Sequence, residues 1–160
     1  MGTTTMEGKP SFAVNFCSFT MIIEIENESA LKQAAEKLIS TFGLGVYAFK
    51  GDMGVGKTTC SRNILYYLEI QNFEGSPTFA IIQCYEGKKS VYHLDCYRIE
   101  NQAEGFNIGL WELFDDSAYF FIEWPEKIES FLPTNVIWVY IRKEEHSEKR
   151  IIEITHDNQP

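Results

Sequence analysis

From residue 21 onward, the hydrophobic and polar positions follow two different periods. Residues 21–26 (MIIEIE) alternate as in a strand with one buried face, whereas residues 27–42 place apolar side chains three and four positions apart, as on one face of a helix. Asn27 or Ser29 offers the side-chain oxygen that caps a helix, and Gly43 ends the periodic stretch. This part of the chain therefore predicts a strand followed by a helix.

A glycine-rich loop lies between the next predicted strand and the next predicted helix. Residues 46–49 form a short apolar run typical of a buried strand, and residues 58–68 return to helical spacing. Further along, residues 79–85 and 90–94 alternate on either side of a turn-like EGKK stretch, which predicts a β-hairpin.

The rest of the chain supplies three more predicted strands. Residues 119–122 form a continuous apolar run that ends at Glu123, as expected of a buried central strand, and residues 136–141 and 150–154 follow. Residues 103–116 predict a short helical or irregular connection. The order of elements combines a parallel core with antiparallel additions, so the expected fold class is α/β, with a mixed sheet flanked by helices.

Length and charge narrow the possible functions. At 160 residues the chain has the size of one domain, and we expect residues 1–20 to be an N-terminal extension and residues 21–160 to be the domain. The formal net charge of −9 and the pI near 4.8 argue against a surface that grips nucleic acid directly, because phosphate contacts depend on clustered Lys and Arg. A role on nucleic acid would therefore need a partner protein.

Cysteine usage and hydropathy predict a protein of the reducing cytoplasm. No apolar run approaches the roughly 18 residues needed to cross a bilayer, and residues 1–20 lack the continuous apolar core and cleavage site of a signal peptide. The cysteines form neither CxxC pairs nor a Cys/His cluster, so they imply no zinc site or disulfide framework. They are Cys17, Cys60, Cys84 and Cys96.

The glycine-rich loop matches the P-loop pattern, in which two glycines enclose four variable positions and a Lys-Thr pair follows. Glycine lets successive N–H groups turn inward toward phosphate oxygens. Lys57 brings a point charge to the β and γ phosphates, Thr58 brings a hydroxyl to magnesium, and the following helix presents its positive end. A plain glycine turn is the alternative, but the position between strand and helix favours nucleotide binding. The matching residues are Gly51, Asp52, Met53, Gly54, Val55, Gly56, Lys57 and Thr58, and Thr59 adds a second hydroxyl.

A P-loop site also needs a carboxylate that holds the metal, usually at the end of a neighbouring strand. Glu123 ends the run YFFI and Asp95 ends the run VYHL, and strand character ranks Glu123 first. A surface charge that closes a strand is the alternative for both. His93, on the same strand face as Asp95, would tune the carboxylate, transfer a proton or be structural. Arg98 would either neutralise phosphate charge or pair with a surface acid.

The sequence lacks the characteristic features of two classes of nucleotide-binding enzyme, the GTPases and the small-molecule kinases. The Asn-Lys-x-Asp and Asp-x-x-Gly motifs of GTPases are absent, which favours ATP over GTP. Small-molecule kinases close an arginine-rich lid over their ligands, but residues 60–142 contain only Arg62, Arg98 and Arg142. A phosphotransferase that acts on a small metabolite and a nucleotide-sensing scaffold without turnover remain alternatives to an ATPase.

Four stretches of the sequence, in this order, resemble the motifs of the TsaE (YjeE) family: GDMGVGKTT, SPTFAIIQCYEG, VYHLDCYRIE and IEWPEKIESFLP. These are the small bacterial P-loop ATPases of tRNA threonylcarbamoyladenosine synthesis, and the similarity runs from about Met21 to about Ile154. The resemblance implies a single P-loop NTPase domain that binds ATP and Mg²⁺. It also implies that the chain serves the TsaD and TsaB proteins, which transfer a threonylcarbamoyl group to the adenosine beside the anticodon. The tRNA would be reached only through those partners.

The resemblance also assigns residues to the site. It implies catalytic roles for Lys57, Asp95 and Glu123, with Thr58 and Glu123 as magnesium ligands and Asp95 at the metal or the attacking water. The nucleotide would contact residues 51–59 and Arg150. Residues 76–78 resemble a switch that senses the γ-phosphate, and the chain around Glu26 and Asn27 is expected near the base. Hydrolysis is expected to be slow in the isolated chain, because few basic groups are available to stabilise transition-state charge.

Two positions depart from the family pattern. Ala30 stands where relatives often have Thr in the first helix, which bears on contacts to the base. Cys96 replaces an apolar residue inside HLDxYR, and this change should be tolerated because Cys buries like a small apolar side chain.

Overall fold

The computed structural model describes residues 18–73, 75, 81–114 and 117–157. In that part of the chain the strands are β1 (Ser18–Ile25), β2 (Gly45–Lys50), β3 (Ile82–Tyr85), β4 (Val91–Asp95), β5 (Tyr119–Glu123), β6 (Ile137–Lys143) and β7 (Arg150–Asp157). The helices are α1 (Glu28–Phe42), α2 (Lys57–Tyr67), α3 (Gln102–Asn107) and α4 (Leu110–Leu113), and two short 3-10 turns cover Pro125–Lys127 and Glu129–Phe131. None of these helices is long and apolar enough to cross a membrane.

The seven strands form one mixed sheet in the order β1-β7-β6-β2-β5-β4-β3. Strands β6, β2, β5 and β4 run parallel to their neighbours within this group, whereas β1 pairs antiparallel with β7, β7 with β6, and β3 with β4. The predicted α/β class, with a parallel core and antiparallel additions, is therefore confirmed. The carboxyl ends of the parallel strands all lie at one edge of the sheet.

Successive side chains of the central strands point to opposite faces of the sheet, and an apolar cluster lies on each face. Tyr47 and Phe49 of β2 face the cluster that α1 and α2 cover, whereas Val46 and Ala48 face the cluster that contains Leu110 of α4. Successive side chains of a strand point to opposite faces, so a buried parallel strand needs apolar residues at every position. This explains why the runs of β2 and β5 are continuous rather than alternating.

Most strand boundaries differ from the sequence prediction by one to three residues. Strand β1 begins at Ser18, before the alternating stretch that starts at Met21, because β7 continues far enough to pair with it there. Strand β3 is limited to Ile82–Tyr85, and the predicted residues 79–80 lie outside the described part of the chain. The short helical or irregular connection predicted at residues 103–116 is helical in its described part, where α3 and α4 are separated by Ile108 and by Gly109, which has a left-handed conformation. Residues 76–78, the expected γ-phosphate switch, also lie outside the described residues.

Candidate functional site

The glycine loop spans the six residues between the end of β2 and the start of α2. Gly54 and Gly56 have φ angles of 77° and 113°, a region of backbone space that residues with a Cβ enter only at a cost. At Gly51 a Cβ would collide with the backbone carbonyl of Ile141, so the loop packs directly against β6. These glycines keep the loop tight and leave the start of α2 open toward the cleft described below.

Lys57, the first residue of α2, turns its side chain back over the loop. Its Nζ donates hydrogen bonds to the carbonyl oxygens of Gly51 at 2.6 Å and Asp52 at 2.9 Å. The same ammonium lies 4.2 Å from the centroid of the Trp124 ring, within the range of a cation–π contact. Burial lowers the pKa of Lys57, and the nearby carboxylates, led by Glu123, oppose that shift.

A chain of three side chains connects α2 to the strand ends. The Thr58 hydroxyl donates to Glu123 Oε2 at 3.0 Å, and Glu123 Oε1 lies 2.9 Å from His93 Nε2. His93 and Glu123 are both buried. A carboxylate can only accept a hydrogen bond, so His93 Nε2 donates to Glu123, and among the described residues His93 Nδ1 has no hydrogen-bond partner. The histidine thus orients the carboxylate.

Asp95 lies beside Glu123 because β4 and β5 pair in parallel with these two residues in register. Its backbone N–H donates to the carbonyl of Ile81, and the N–H of Cys96 donates to the carbonyl of Glu123, so both strand ends are fixed. Asp95 Oδ1 accepts a hydrogen bond from the backbone N–H of Tyr97 at 3.1 Å. The carboxylate is only partly buried and faces the cleft.

Trp124 follows Glu123 in a left-handed conformation with φ of 57°, which is unusual for a residue with a large side chain. This turn folds the indole back over the loop, where it contacts Lys57, and Tyr97 also packs against the indole with ring centroids 5.0 Å apart. Strained backbone of this kind is concentrated at functional sites. The position of Trp124 directly after Glu123 in the sequence does not reveal its contact with Lys57.

Two clefts meet at the start of α2. The first, of about 370 Å³, contains most of the expected phosphate and metal residues. The second, of about 560 Å³, lies between the start of α1, the outer face of α2 and β7, and shares Gly56 and Thr59 with the first. Volumes of this order match small-molecule sites. The first cleft is lined by Met53, Gly54, Gly56, Lys57, Thr58, Thr59, Asp95, Tyr97, Glu123 and Trp124.

The second cleft brings together residues that are far apart in the sequence. Asn27, at the start of α1, lies opposite Asn63 and Tyr66 of α2, and Arg150 closes the side next to the loop. Arg150 Nε donates to the carbonyl of Val55 at 2.9 Å, so this side chain also holds the loop backbone. The family resemblance implied that Glu26, Asn27 and Arg150 lie near the nucleotide, and all three line this cleft. The sequence did not indicate Asn63 and Tyr66, because helical spacing alone does not show which cleft a helix borders.

The expected loop residues fall into two groups. Gly54, Gly56, Lys57, Thr58 and Thr59 line one or both clefts, together with the exposed Met53. The remaining three expected residues line neither cleft; they contribute backbone carbonyls or a buried side chain instead. Gly51 and Asp52 supply the carbonyls that hold Lys57, and the side chain of Val55 is buried in the apolar cluster beneath α2.

The donor atoms fit a magnesium ion bound together with a nucleotide. Thr58 offers a hydroxyl, and Glu123 and Asp95 offer carboxylates, all on the wall of one cleft beside the glycine loop. Magnesium prefers such oxygen ligands and usually takes one or two from the protein, with substrate phosphates and water supplying the rest. Thr58 and Glu123 already lie within hydrogen-bond distance of each other, so one ion could contact both, and these two are the residues that would hold it.

Comparison with known proteins identifies the same family along most of the chain. Residues 25–152 match the family profile described as threonylcarbamoyl adenosine biosynthesis protein TsaE. The chain is similar to the tRNA threonylcarbamoyladenosine biosynthesis protein TsaE of Bacillus subtilis, with 34% identity over 74% of this chain and 76% of that protein. The protein of the same description from Rickettsia bellii is 32% identical, over 83% of this chain and 93% of its own length.

A solved structure shares the fold. The crystal structure of Bacillus subtilis YdiB superposes with a TM-score of 0.67 and 26% sequence identity, covering 88% of each chain. This agreement extends the similarity from the motifs to the arrangement of the whole sheet and its helices.

Proposed function

The chain belongs to the TsaE family of threonylcarbamoyl adenosine biosynthesis proteins, and from that premise we propose that it is a magnesium-dependent ATPase that acts on the TsaD–TsaB complex. A place in tRNA threonylcarbamoyladenosine biosynthesis follows from the family itself. The observation that supports an ATPase is the hydrogen bond between Thr58, at the start of α2, and Glu123, at the end of β5. A hydroxyl at the start of α2 and a strand-end carboxylate are the two protein ligands that a P-loop site requires.

The roles of the loop residues follow from their contacts. Lys57 is held by the carbonyls of Gly51 and Asp52, and it would exchange these for phosphate oxygens when ATP enters the cleft. The backbone of residues 51–59 and the positive end of α2 would bind the phosphates, while Arg150 keeps the loop in shape. The adenosine would occupy the second cleft, near Asn27.

Hydrolysis needs a water molecule held in line with the γ-phosphate. Asp95 is the partly exposed carboxylate of the first cleft, so it is the residue proposed to orient that water and accept its proton. The oxygen of the water then bonds to the γ-phosphorus, and the bond to the β-phosphate oxygen breaks to release ADP. Bound magnesium would neutralise charge that develops on the phosphates. His93 keeps Glu123 oriented throughout.

Partner dependence is proposed from the charge of the chain. With a net charge of −9 the chain is poorly suited to bind tRNA, and of the residues that the structure describes, Lys57 is the only Lys or Arg that lines the first cleft. A partner would therefore supply tRNA contact and would complete the site for rapid hydrolysis. This role places its action in the cytoplasm.

The proposal is tested by measuring release of free phosphate from ATP, with and without purified TsaD and TsaB. We expect slow release by the isolated chain, acceleration of about tenfold or more by the partners, and dependence on Mg²⁺. Lys57→Ala should reduce the rate at least about a hundredfold. A matched control is Lys50→Ala, which removes a lysine that lies over Trp138 outside both clefts.

Three outcomes would contradict the proposal. A fast rate that the partners leave unchanged would contradict partner dependence. Transfer of labelled phosphate to a small metabolite would identify a phosphotransferase. Binding of ATP without turnover under any condition would identify a nucleotide-sensing scaffold.

A further inference from the structure

Three large apolar side chains are exposed together on the short helices α3 and α4. Phe106 is 61% exposed, Ile108 41% and Trp111 57%, and the rings of Phe106 and Trp111 stack with centroids 6.2 Å apart. We call these three residues the α3–α4 patch. Single exposed apolar residues are common, but adjacent stacked aromatics on a surface are typical of a protein-binding site.

The segment that carries the patch is fixed to the rest of the fold by other residues. Leu110 is buried in the apolar cluster on this face of the sheet, and Gly105 packs so closely against Phe131 that a Cβ there would collide with that ring. Asn101 caps α3 by accepting a hydrogen bond from the N–H of Glu104. The patch residues are therefore not needed to anchor the segment, and they point outward from a rigid base.

The described segment that carries the patch has more acidic than basic residues. Residues 97–114 contain Glu100, Glu104 and Glu112 and a single Lys or Arg, namely Arg98. Glu100 and Glu112, on either side of the patch in sequence, are exposed. A surface complementary to this one has an apolar pocket for aromatic side chains and a rim of Lys or Arg. RNA does not offer such a pocket, and a second copy of this acidic chain would bring like charges together.

We propose that the α3–α4 patch is the surface by which this chain docks a protein partner that presents an apolar pocket rimmed by Lys and Arg. The proposal rests on the proposed function, in which that partner is the TsaD–TsaB complex. The segment that carries the patch follows, in sequence, directly after residues that line the first cleft. Tyr97, which precedes α3, packs on Trp124, and Trp124 in turn contacts Lys57. A partner seated on α3 and α4 would thus be close to residues that line the cleft.

The test compares binding of purified TsaD–TsaB by the unmodified chain and by the double variant Phe106→Ser/Trp111→Ser. Aromatic residues at the centre of an interface carry most of its binding energy, so we expect about a tenfold or greater loss of affinity. The matched control is Ile22→Ser, which removes an apolar side chain that is 64% exposed on β1, at the far edge of the sheet. It should bind as the unmodified chain does, and all variants should retain their Mg-ATP affinity and thermal stability.

A second pair of variants tests whether the acidic residues beside the α3–α4 patch contribute to binding. Glu112→Lys should weaken binding at low salt, and the difference should shrink as salt is added, because exposed charges are screened. Glu36→Lys makes the same charge change on the exposed face of α1 and should have no effect.

The possible results separate the two proposals. If the unmodified chain binds the complex and the double variant binds equally well, the patch is not the docking surface, although the proposed function stands. If the unmodified chain does not bind, the partner assignment fails and this proposal fails with it. If sedimentation shows that the unmodified chain dimerises and the double variant does not, the occupant of the patch is a second copy, which also overturns the proposal.

Discussion

Glu123 is the residue on which the geometry of the candidate site depends most. Its two oxygens have different partners, Thr58 on one side and His93 on the other. A carboxylate that accepts one hydrogen bond on each oxygen cannot rotate freely, so the direction of its remaining lone pairs is fixed. Residues that hold a metal ligand in this way contribute to metal affinity without touching the metal. His93 therefore has a role that its burial alone would not reveal.

Replacing His93 tests this role at the scale of a single residue. In His93→Ala, Glu123 Oε1 loses its donor in a buried position, so we expect the Mg²⁺ concentration for half-maximal ATP hydrolysis to rise about tenfold or more. The free energy of unfolding should also fall by about 1–3 kcal/mol, because a buried acceptor is left unsatisfied. Activity is measured as a function of Mg²⁺, and stability by urea unfolding.

The conservative variant separates positioning from packing. The amide of His93→Gln can donate to Glu123, so it should recover part of the lost Mg²⁺ affinity, whereas His93→Leu fills the space without a donor and should not. Equal Mg²⁺ dependence in the unmodified chain and in His93→Ala would show that the contact is only structural.

At the scale of elements, the site is built by the register of parallel strands. Phe49 of β2 is paired with Glu123 of β5, which is paired with Asp95 of β4. The glycine loop starts two residues after Phe49, so the loop and both carboxylates meet at one edge of the sheet. This convergence follows from the parallel arrangement, in which the carboxyl ends of the strands point the same way.

The same elements show what the sequence could and could not predict. The loop, its Lys57 and Thr58, and the strand ends at Asp95 and Glu123 are local features, because each is defined by a few adjacent residues. The partner of His93 lies thirty residues away on another strand, and the residue pattern left three roles open for this histidine. Around the second cleft, the family resemblance pointed to Glu26, Asn27 and Arg150, but the cleft itself was not predicted, since α1, α2 and β7 meet there through tertiary packing.

The cap of α1 provides a test at this scale. Asn27 Oδ1 accepts a hydrogen bond from the N–H of Ala30 at 2.9 Å, so Asn27, of the two candidates in the sequence, is the residue that caps the helix. We expect Asn27→Ala to reduce the free energy of unfolding by about 1 kcal/mol. Ser29→Ala lies inside the helix and should be neutral or slightly stabilising. Urea unfolding of both variants is the measurement, and a larger loss from Ser29→Ala would contradict the assignment of the cap.

At the scale of the whole molecule, one sheet separates two apolar clusters that are covered by different elements. Helices α1 and α2 cover the first, and the α3–α4 segment and the turns after β5 cover the second. The covering elements of the second face are short helices and turns. Neither cluster is complete without the sheet, because both use alternate residues of the same central strands. The two faces should therefore unfold together.

Alkylation of two buried cysteines can follow the unfolding of the two faces separately. Cys60 belongs to the first cluster and Cys96 to the second, and burial raises the pKa of each thiol to about 12. Both thiols therefore stay protonated and protected from alkylation at neutral pH while the chain is folded. Cys84 is exposed and should react without denaturant, which provides the control. In pulsed alkylation read out by peptide mass spectrometry, Cys60 and Cys96 should become reactive at the same urea concentration. Earlier labelling of Cys96 would mean that the α3–α4 face opens independently, and the rigid base inferred for the docking patch would then be wrong.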